Sequence, residues 1–490
     1  MKYLLAIDEG TSSTRAMLHN TDGKLVNMCQ ESLNQSFPKP GWVEQSPDEI
    51  WRKTLAVMQA VVAAIDVKDI VGCGITNQRE TTVLWHKKTG QCLHPAIVWQ
   101  DRRTEDFCRT LTDATAVIRQ KTGLLPDAYF SASKLHWLMN NVPEARRLAE
   151  QNLLAFGTID SFLLWRLTNG QVHATDVTNA SRTLLYNIIE QRWDEELLAL
   201  YDLPLSILPE VRACDAHFGD IASEFLGSSI PVTGIAGDQQ AALIGQQCFE
   251  PGMVKATYGT GGFLLMNTGE QAVLSNNGLL TTIACKIQDR LTYGLEGSLY
   301  HAGSTIKWLR DQMRLINSAA ETESMAIGLA GNEGVYLVPS FTGLGAPHWL
   351  STSGAMIMGL SRQSGPAHFA RAALESVCYQ TRDVLACMTE DSGIQPSTLR
   401  VDGGMTSNHW MLQFLSSQCD VVVQKPFNIE TTGLGAAMLA ALGCGEISSI
   451  SAMKKAWEPD WELHPVVDEQ LREADYKGWI KALQMLRAGT

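Results

Sequence analysis

Gly234-Ile-Ala-Gly-Asp238-Gln239-Gln240-Ala-Ala242, set beside Asp8-Glu-Gly-Thr11-Ser-Ser-Thr-Arg15 near the other end, decides how this chain reads. Each stretch puts a carboxylate on a glycine-flanked turn between an apolar, strand-like run and a new element. Glycine lets backbone N–H groups approach a phosphate closely. A transferred phosphoryl group further needs one carboxylate to hold Mg²⁺ and another to accept a hydroxyl proton. Read singly, each turn is equally an ordinary loop with an Asp at a helix N-cap. As a pair far apart in one chain, they suggest a cleft where nucleotide and substrate meet.

Working outward, the chain reads α/β twice over. Tyr3–Ile7, Arg15–Leu18 and Lys24–Met28 are short strand candidates separated by turns, an N-terminal meander. Ser46-Pro47-Asp48 opens a helix predicted to run to about Ile65, with Ile50, Leu55, Met58, Val61 and Val62 on its buried side. Strands return at Ile70–Thr76, Thr82–Trp85 and Ala96–Trp99. Beyond the helix that starts at Asp238, Met253–Tyr258, Gly259-Thr260-Gly261-Gly262 and Phe263–Met266 read again as strand, glycine turn, strand. Leu399–Asp402 then runs through Gly403-Gly404 into a helix beginning near Ser407. The domain break is expected near Gln246, giving domains 1–246 and 247–490.

With 490 residues, two or more domains are the prior. Hydrophobic content of 45% and charged content of 19% are those of a globular protein. A net charge of −13 argues against a duplex-binding surface, so no nucleic-acid partner is expected. Apolar runs such as Leu55–Ile65 are too short to span a bilayer, and Met1–Ile7 meets Asp8 before any signal-peptide core forms; neither membrane insertion nor export is expected. The 11 scattered cysteines contain no C-x-x-C pair, which suits cytoplasmic thiols and makes zinc unlikely. There is no P-loop, no protein-kinase signature set and no serine-hydrolase elbow. Gly433-Leu-Gly435-Ala-Ala is only half a dinucleotide fingerprint and reads better as a tightly packed helix start near a nucleotide.

Further segments carry a resemblance: Gly74-Ile-Thr-Asn-Gln-Arg79-Glu80-Thr, Ile97-Val-Trp99-Gln, Tyr129-Phe-Ser-Ala-Ser-Lys134-Leu-His-Trp137, Thr257-Tyr-Gly-Thr260-Gly-Gly-Phe263, Phe341–Pro347, Ala355–Glu375 and Val401-Asp-Gly-Gly404. Together with the Asp238 turn they resemble the FGGY carbohydrate kinase family along nearly the whole chain, and within it the members acting on glycerol. The resemblance implies an actin-like ATPase fold, with two RNase-H-like α/β domains around a central cleft. It implies a polyol pocket of Arg79, Glu80, Trp99, Tyr129, Asp238, Gln239 and Phe263. Asp238 would be the catalytic base, and Asp8, with Asp238, would hold Mg²⁺. Thr11, Ser12, Ser13 and Arg15 would form one phosphate hairpin and Gly259, Thr260 and Gly261 a second, with Gly303, Gly404 and Asn408 lining the rest of an ATP site. Residue chemistry agrees: Arg79 can donate to two hydroxyls, Glu80 and Asp238 can accept hydroxyl protons, and Trp99 and Phe263 can wall out water. A homodimer or homotetramer is implied as well.

Four departures from the family pattern stand out. Glu9 replaces the usual Gln, and either adds charge beside the phosphates or points to solvent. Lys307 stands where a nucleotide-contacting Gln is usual. The Trp-Asp-Pro around Trp349-Leu350 is broken. Ala222–Ser229 lacks the basic, glycine-rich loop through which some bacterial members bind fructose 1,6-bisphosphate, so no such site is expected. The leading expectation is ATP-dependent phosphorylation of glycerol to sn-glycerol 3-phosphate. A kinase for another polyol or ketose, such as erythritol or xylulose, is the alternative. A non-catalytic actin-like ATP-binding protein is the third, though it would be expected to lack Asp238 or the Arg79-Glu80 pair.

Overall fold

The computed structural model describes residues 1–350, 354–453 and 457–489. Its N-terminal sheet is built from β1 (Tyr3–Glu9), β2 (Ser13–Asn20), β3 (Leu25–Ser32), β4 (Ile70–Asn77), β5 (Gly219–Ile221) and β6 (Ile230–Gly237), in the order β5-β6-β4-β1-β2-β3. The C-terminal sheet comprises β7 (Met253–Tyr258), β8 (Gly262–Gly269), β9 (Leu280–Ile287), β10 (Arg290–Leu299), β11 (Thr398–Asp402), β12 (Val422–Pro426) and β13 (Pro459–Leu463), in the order β9-β10-β8-β7-β11-β12-β13. Within them β3-β2-β1-β4-β6 and β10-β8-β7-β11-β12 are the same arrangement. Three antiparallel strands lie beside two that run parallel to the first. Each half is thus one RNase-H-like sheet, and the molecule has the two-domain, actin-like α/β fold expected.

Seven helices matter to the site: α1 (Pro47–Val62), α2 (Ser131–Asn141), α3 (Val177–Ala180), α4 (Asp238–Gly245), α5 (Pro366–Ser392), α6 (Thr431–Gly443) and α7 (Glu469–Ala488). Ser46 caps α1 by accepting from Glu49 N at 3.3 Å, and Pro47 sits in its first turn. The helix stops at Val62 rather than Ile65, and Val57 takes the buried position expected for Leu55, which is half-buried. Helix α6 lies against β1, β4, β6 and α4. Glycine is required there: a Cβ on Gly435 would stand 1.8 Å from the Ala241 carbonyl oxygen, and one on Gly74 2.0 Å from that of Ala436. The close packing read from Gly433-Leu-Gly435 is therefore real, although α6, which follows residue 246, packs on the N-terminal sheet.

The C-terminal helix α7 packs one face into the core. On α7, Trp479, Ala482, Leu483 and Leu486 are buried in the C-terminal core. The Trp479 ring stacks on Tyr379 of α5 at 5.6 Å, and its Nε1 donates to Asp383 at 2.9 Å. Among the described residues, no helix is long and apolar enough to cross a membrane.

Candidate active site

The β1–β2 and β7–β8 turns are the two hairpins expected, and each opens at an end of its sheet. The first is closed by Gly10 N donating to Ser13 O at 2.9 Å, with Ser12 exposed, Thr11 and Arg15 half-buried, and Ser13 buried. In the second, Gly259 N donates to Gly261 O at 2.9 Å, and Gly259 and Thr260 are exposed. Gly303 N donates back to Gly259 O at 2.9 Å, so the helix beginning at Gly303 abuts the second hairpin; a Cβ there would stand 2.6 Å from that oxygen. The β11 turn arrives beside it. Gly403, at φ 91°, passes so close to Tyr258 that a Cβ would stand 2.5 Å from its carbonyl oxygen, and Gly404 is left exposed. Asn408 spends its side chain capping the next helix, accepting from Met411 N at 2.9 Å, with Nδ2 3.3 Å from Thr322 Oγ1.

The polar pocket residues gather where β4, β6 and β10 end. Asp238 begins α4, and its Oδ1 accepts from Gln239 N at 2.7 Å and lies 3.2 Å from Arg79 Nε; its side chain remains 32% exposed. The guanidinium of Arg79 is buried. Its Nη1 and Nη2 meet Glu296 Oε2 and Oε1 at 2.5 and 3.1 Å, while Nη2 makes a long 3.5 Å contact with the Tyr129 hydroxyl. Glu80 occupies the left-handed region at φ 60°, a strained setting for this residue type and typical of functional turns. Ser131 of α2 and Thr82 hold it there by donating to its carbonyl oxygen at 2.9 and 3.0 Å. Trp99 forms the wall, edge-on to Tyr129 at 5.6 Å and to Phe263 at 6.3 Å. The Trp99 Nε1 donates to Thr11 Oγ1 at 2.9 Å, which ties this ring to the β1–β2 turn.

Electrostatics follow from burial. Asp8 is pushed up to about 6, chiefly by burial, against the pull of Arg15, with Asp238 and Glu430 raising it further. Asp8 with a second carboxylate, Asp238, near enough to act on it suits a divalent cation, and Mg²⁺ takes one or two carboxylates alongside water and phosphate oxygens. Arg15, expected at the phosphates, pairs with Glu430 at 2.7 Å and lies 3.9 Å from Asp8. Glu9 does neither thing expected of it. It is fully buried, accepts from Thr54 Oγ1 at 3.0 Å, and burial pushes it up to about 8, toward the uncharged form. The Oε1 of Gln239 takes a hydrogen bond from the buried Lys255. At the broken Trp-Asp-Pro, Trp349 turns at φ 45° and donates Nε1 to Gly278 O at 2.6 Å, while Leu350 pairs with Leu344.

Three charged residues here escaped the sequence reading: Arg182, Lys255 and Glu296, each buried. Their only signal was a charge amid small and apolar neighbours, as in Tyr293-Gly-Leu-Glu296-Gly, and a buried charge demands a partner.

The FGGY N-terminal carbohydrate-kinase domain model matches residues 3–245 and the corresponding C-terminal model residues 254–444. The chain belongs to the FGGY family of carbohydrate kinases. It is 53% identical over 487 residues to a glycerol kinase of Alcanivorax borkumensis, covering 99% of this chain and 98% of that one. A glycerol kinase of Listeria monocytogenes is 50% identical over 492 residues, at 99% coverage of both. Among solved structures, Plasmodium falciparum glycerol kinase with ADP superposes with a TM-score of 0.94 at 37% identity, over 99% of this chain and 98% of the other. A xylulose kinase from Lactobacillus acidophilus reaches a TM-score of 0.88 at only 20% identity, over 100% of this chain and 98% of the other, a likeness of fold alone.

Proposed function

We propose that this protein transfers the γ-phosphoryl group of ATP to glycerol, giving sn-glycerol 3-phosphate. The observation that carries this reading is the likeness to glycerol kinases, about half of all positions across the whole chain, where kinases of larger sugars share only the fold. The geometry supports it. Glycerol has three hydroxyls on a short carbon edge, and the pocket offers an arginine, two carboxylates and a phenol against the Trp99 and Phe263 rings. An analogue lacking a hydroxyl would leave one of these buried groups unpaired.

In the proposed reaction Asp238 takes the proton of a terminal hydroxyl as its oxygen attacks the γ-phosphorus in line. One Asp238 oxygen is fixed by Gln239 N, and the partial exposure of the side chain leaves the other to reach a substrate. Backbone N–H groups and hydroxyls of Thr11, Ser12, Ser13, Gly259, Thr260 and Gly261 would surround the phosphates, with Arg15 supplying positive charge. Gly303 and Gly404 would border the rest of the nucleotide. Asp8, with Asp238, would hold Mg²⁺, which when bound neutralises charge between the β- and γ-phosphates. A cytoplasmic location and a homodimeric or homotetrameric assembly belong to the same reading. ADP release across glycerol, dihydroxyacetone, erythritol and xylulose tests it. Glycerol should give the highest kcat/KM; preference for a ketose or longer polyol would overturn the substrate assignment.

A further inference from the structure

Arg79 has two forks of N–H groups, and the structure shows which is spoken for. The Nη1–Nη2 end is occupied by Glu296, whose two oxygens lie 2.5 and 3.1 Å away, and Gln240 Oε1 takes a further place on Nη1 at 3.3 Å. The Nε–Nη2 side is the less committed one. It has Asp238 Oδ1 at 3.2 Å and Glu80 Oε1 at 3.9 Å on the Nε flank, and the long Tyr129 contact of 3.5 Å on the other. Glu296 comes from β10 of the C-terminal sheet, whereas Arg79 follows β4 of the N-terminal one. Arg182 completes a closed quartet, its Nε on Glu80 Oε1 at 2.7 Å and its Nη2 on Glu296 Oε1 at 2.9 Å.

Given the polyol pocket proposed above, we propose that Glu296 and Arg182 are positioning residues for polyol binding. Glu296 turns the side fork of Arg79 toward the substrate, and Arg182 holds one oxygen of Glu80 so that the other is presented. A guanidinium binds two oxygens well only when its plane and the chosen edge are fixed, and a bidentate carboxylate on the far edge fixes both. Arg182 and Glu296 are each fully buried and carry opposite charge, so the quartet of two arginines and two glutamates is neutral, with Asp238 at its rim against Arg79 Nε. Burial alone would raise Glu296, yet Arg182 and Arg79 beside it hold it down at about 2, so this fixed anion persists across the working range of pH. Because its anchor lies on the C-terminal sheet, polyol affinity is set jointly by both halves of the molecule.

The test measures glycerol KM, ATP KM and kcat for the full-length protein in three variants: Glu296→Gln, the charge-balanced double variant Glu296→Gln with Arg182→Gln, and Arg79→Lys. Loss of the bidentate carboxylate should raise glycerol KM at least tenfold in Glu296→Gln while ATP KM stays within twofold. The double variant restores charge balance and hence folding, but should keep the raised glycerol KM. A double variant with wild-type glycerol KM would show a purely structural ion pair and overturn the proposal. Arg79→Lys separates the two levels. If it raises glycerol KM while both Glu296 variants leave it unchanged, the positioning role fails and the pocket stands; if it too changes nothing, the pocket assignment itself is wrong.

Discussion

The indole N–H of Trp99 links the proposed polyol wall to the proposed first phosphate hairpin, through Thr11 Oγ1 at 2.9 Å. A neutral hydrogen bond of this kind is worth about 0.5–1.5 kcal/mol. Trp99→Phe keeps an aromatic wall and deletes only the bond, so it should raise glycerol KM and ATP KM together, each by roughly 2- to 10-fold. Separate steady-state titrations check this, and a change confined to one substrate would show that the link is incidental. At this scale the sequence named the residues of the proposed pocket but not the partners of their side chains. The bond from Lys255 to Gln239 and the cap bond from Met411 N to Asn408 are both invisible in the sequence. Glu9 reads as a charge because burial cannot be judged from one residue and its neighbours. Partners hundreds of positions apart, such as Arg79 and Glu296, leave no local trace.

Two elements carry predictions of their own. The first turn of the helix Ile159–Leu167 holds Asp160, fully buried and accepting from Thr158 and Thr175 hydroxyls at 2.5 and 2.6 Å. Burial, reinforced by the Asp176 carboxylate, pushes it up to about 7 from the 3.8 of a free aspartate. A group that binds its proton more tightly in the folded state stabilises the fold below its unfolded value, and that contribution disappears as pH rises through its folded value. Unfolding free energy should therefore fall between pH 4 and pH 7, with Asp160 accounting for up to roughly 4 kcal/mol. Urea titrations in that window should show a flatter profile for Asp160→Asn; an unchanged slope would remove Asp160 as the cause. Where α4 crosses α6, a Cβ on Gly245 would stand 1.9 Å from the Thr431 carbonyl oxygen. Gly245→Ala should cost about 1–3 kcal/mol in the same assay, and a neutral result would mean that the helices separate freely. Strand and turn positions were the most legible elements, since glycine punctuation and short apolar runs are local signals. The burial of α7 was not, because Trp479 finds Tyr379 and Asp383 only in the folded chain.

Over the whole molecule, two sheets of like topology present one glycine hairpin each, and the pocket takes residues from both halves: Asp238 and Arg79 from the first, Phe263 and Glu296 from the second. That duplication was visible in sequence as strand, glycine turn, strand occurring twice. The shared pocket was not, because it depends on how the two sheets face each other. A kinase built this way needs a base at the polyol end and phosphate-binding turns at the other, and Asp238 is the residue on which the account rests. General-base catalysis contributes on the order of 10²- to 10⁴-fold. The most direct measurement follows formation of sn-glycerol 3-phosphate from glycerol and Mg-ATP with a stereospecific dehydrogenase, for the wild-type protein and for Asp238→Ala. The account predicts rapid product formation by the wild type and a loss of about 10²-fold or more in the variant, with ATP still bound. Product formed at a comparable rate without the Asp238 carboxylate would contradict it.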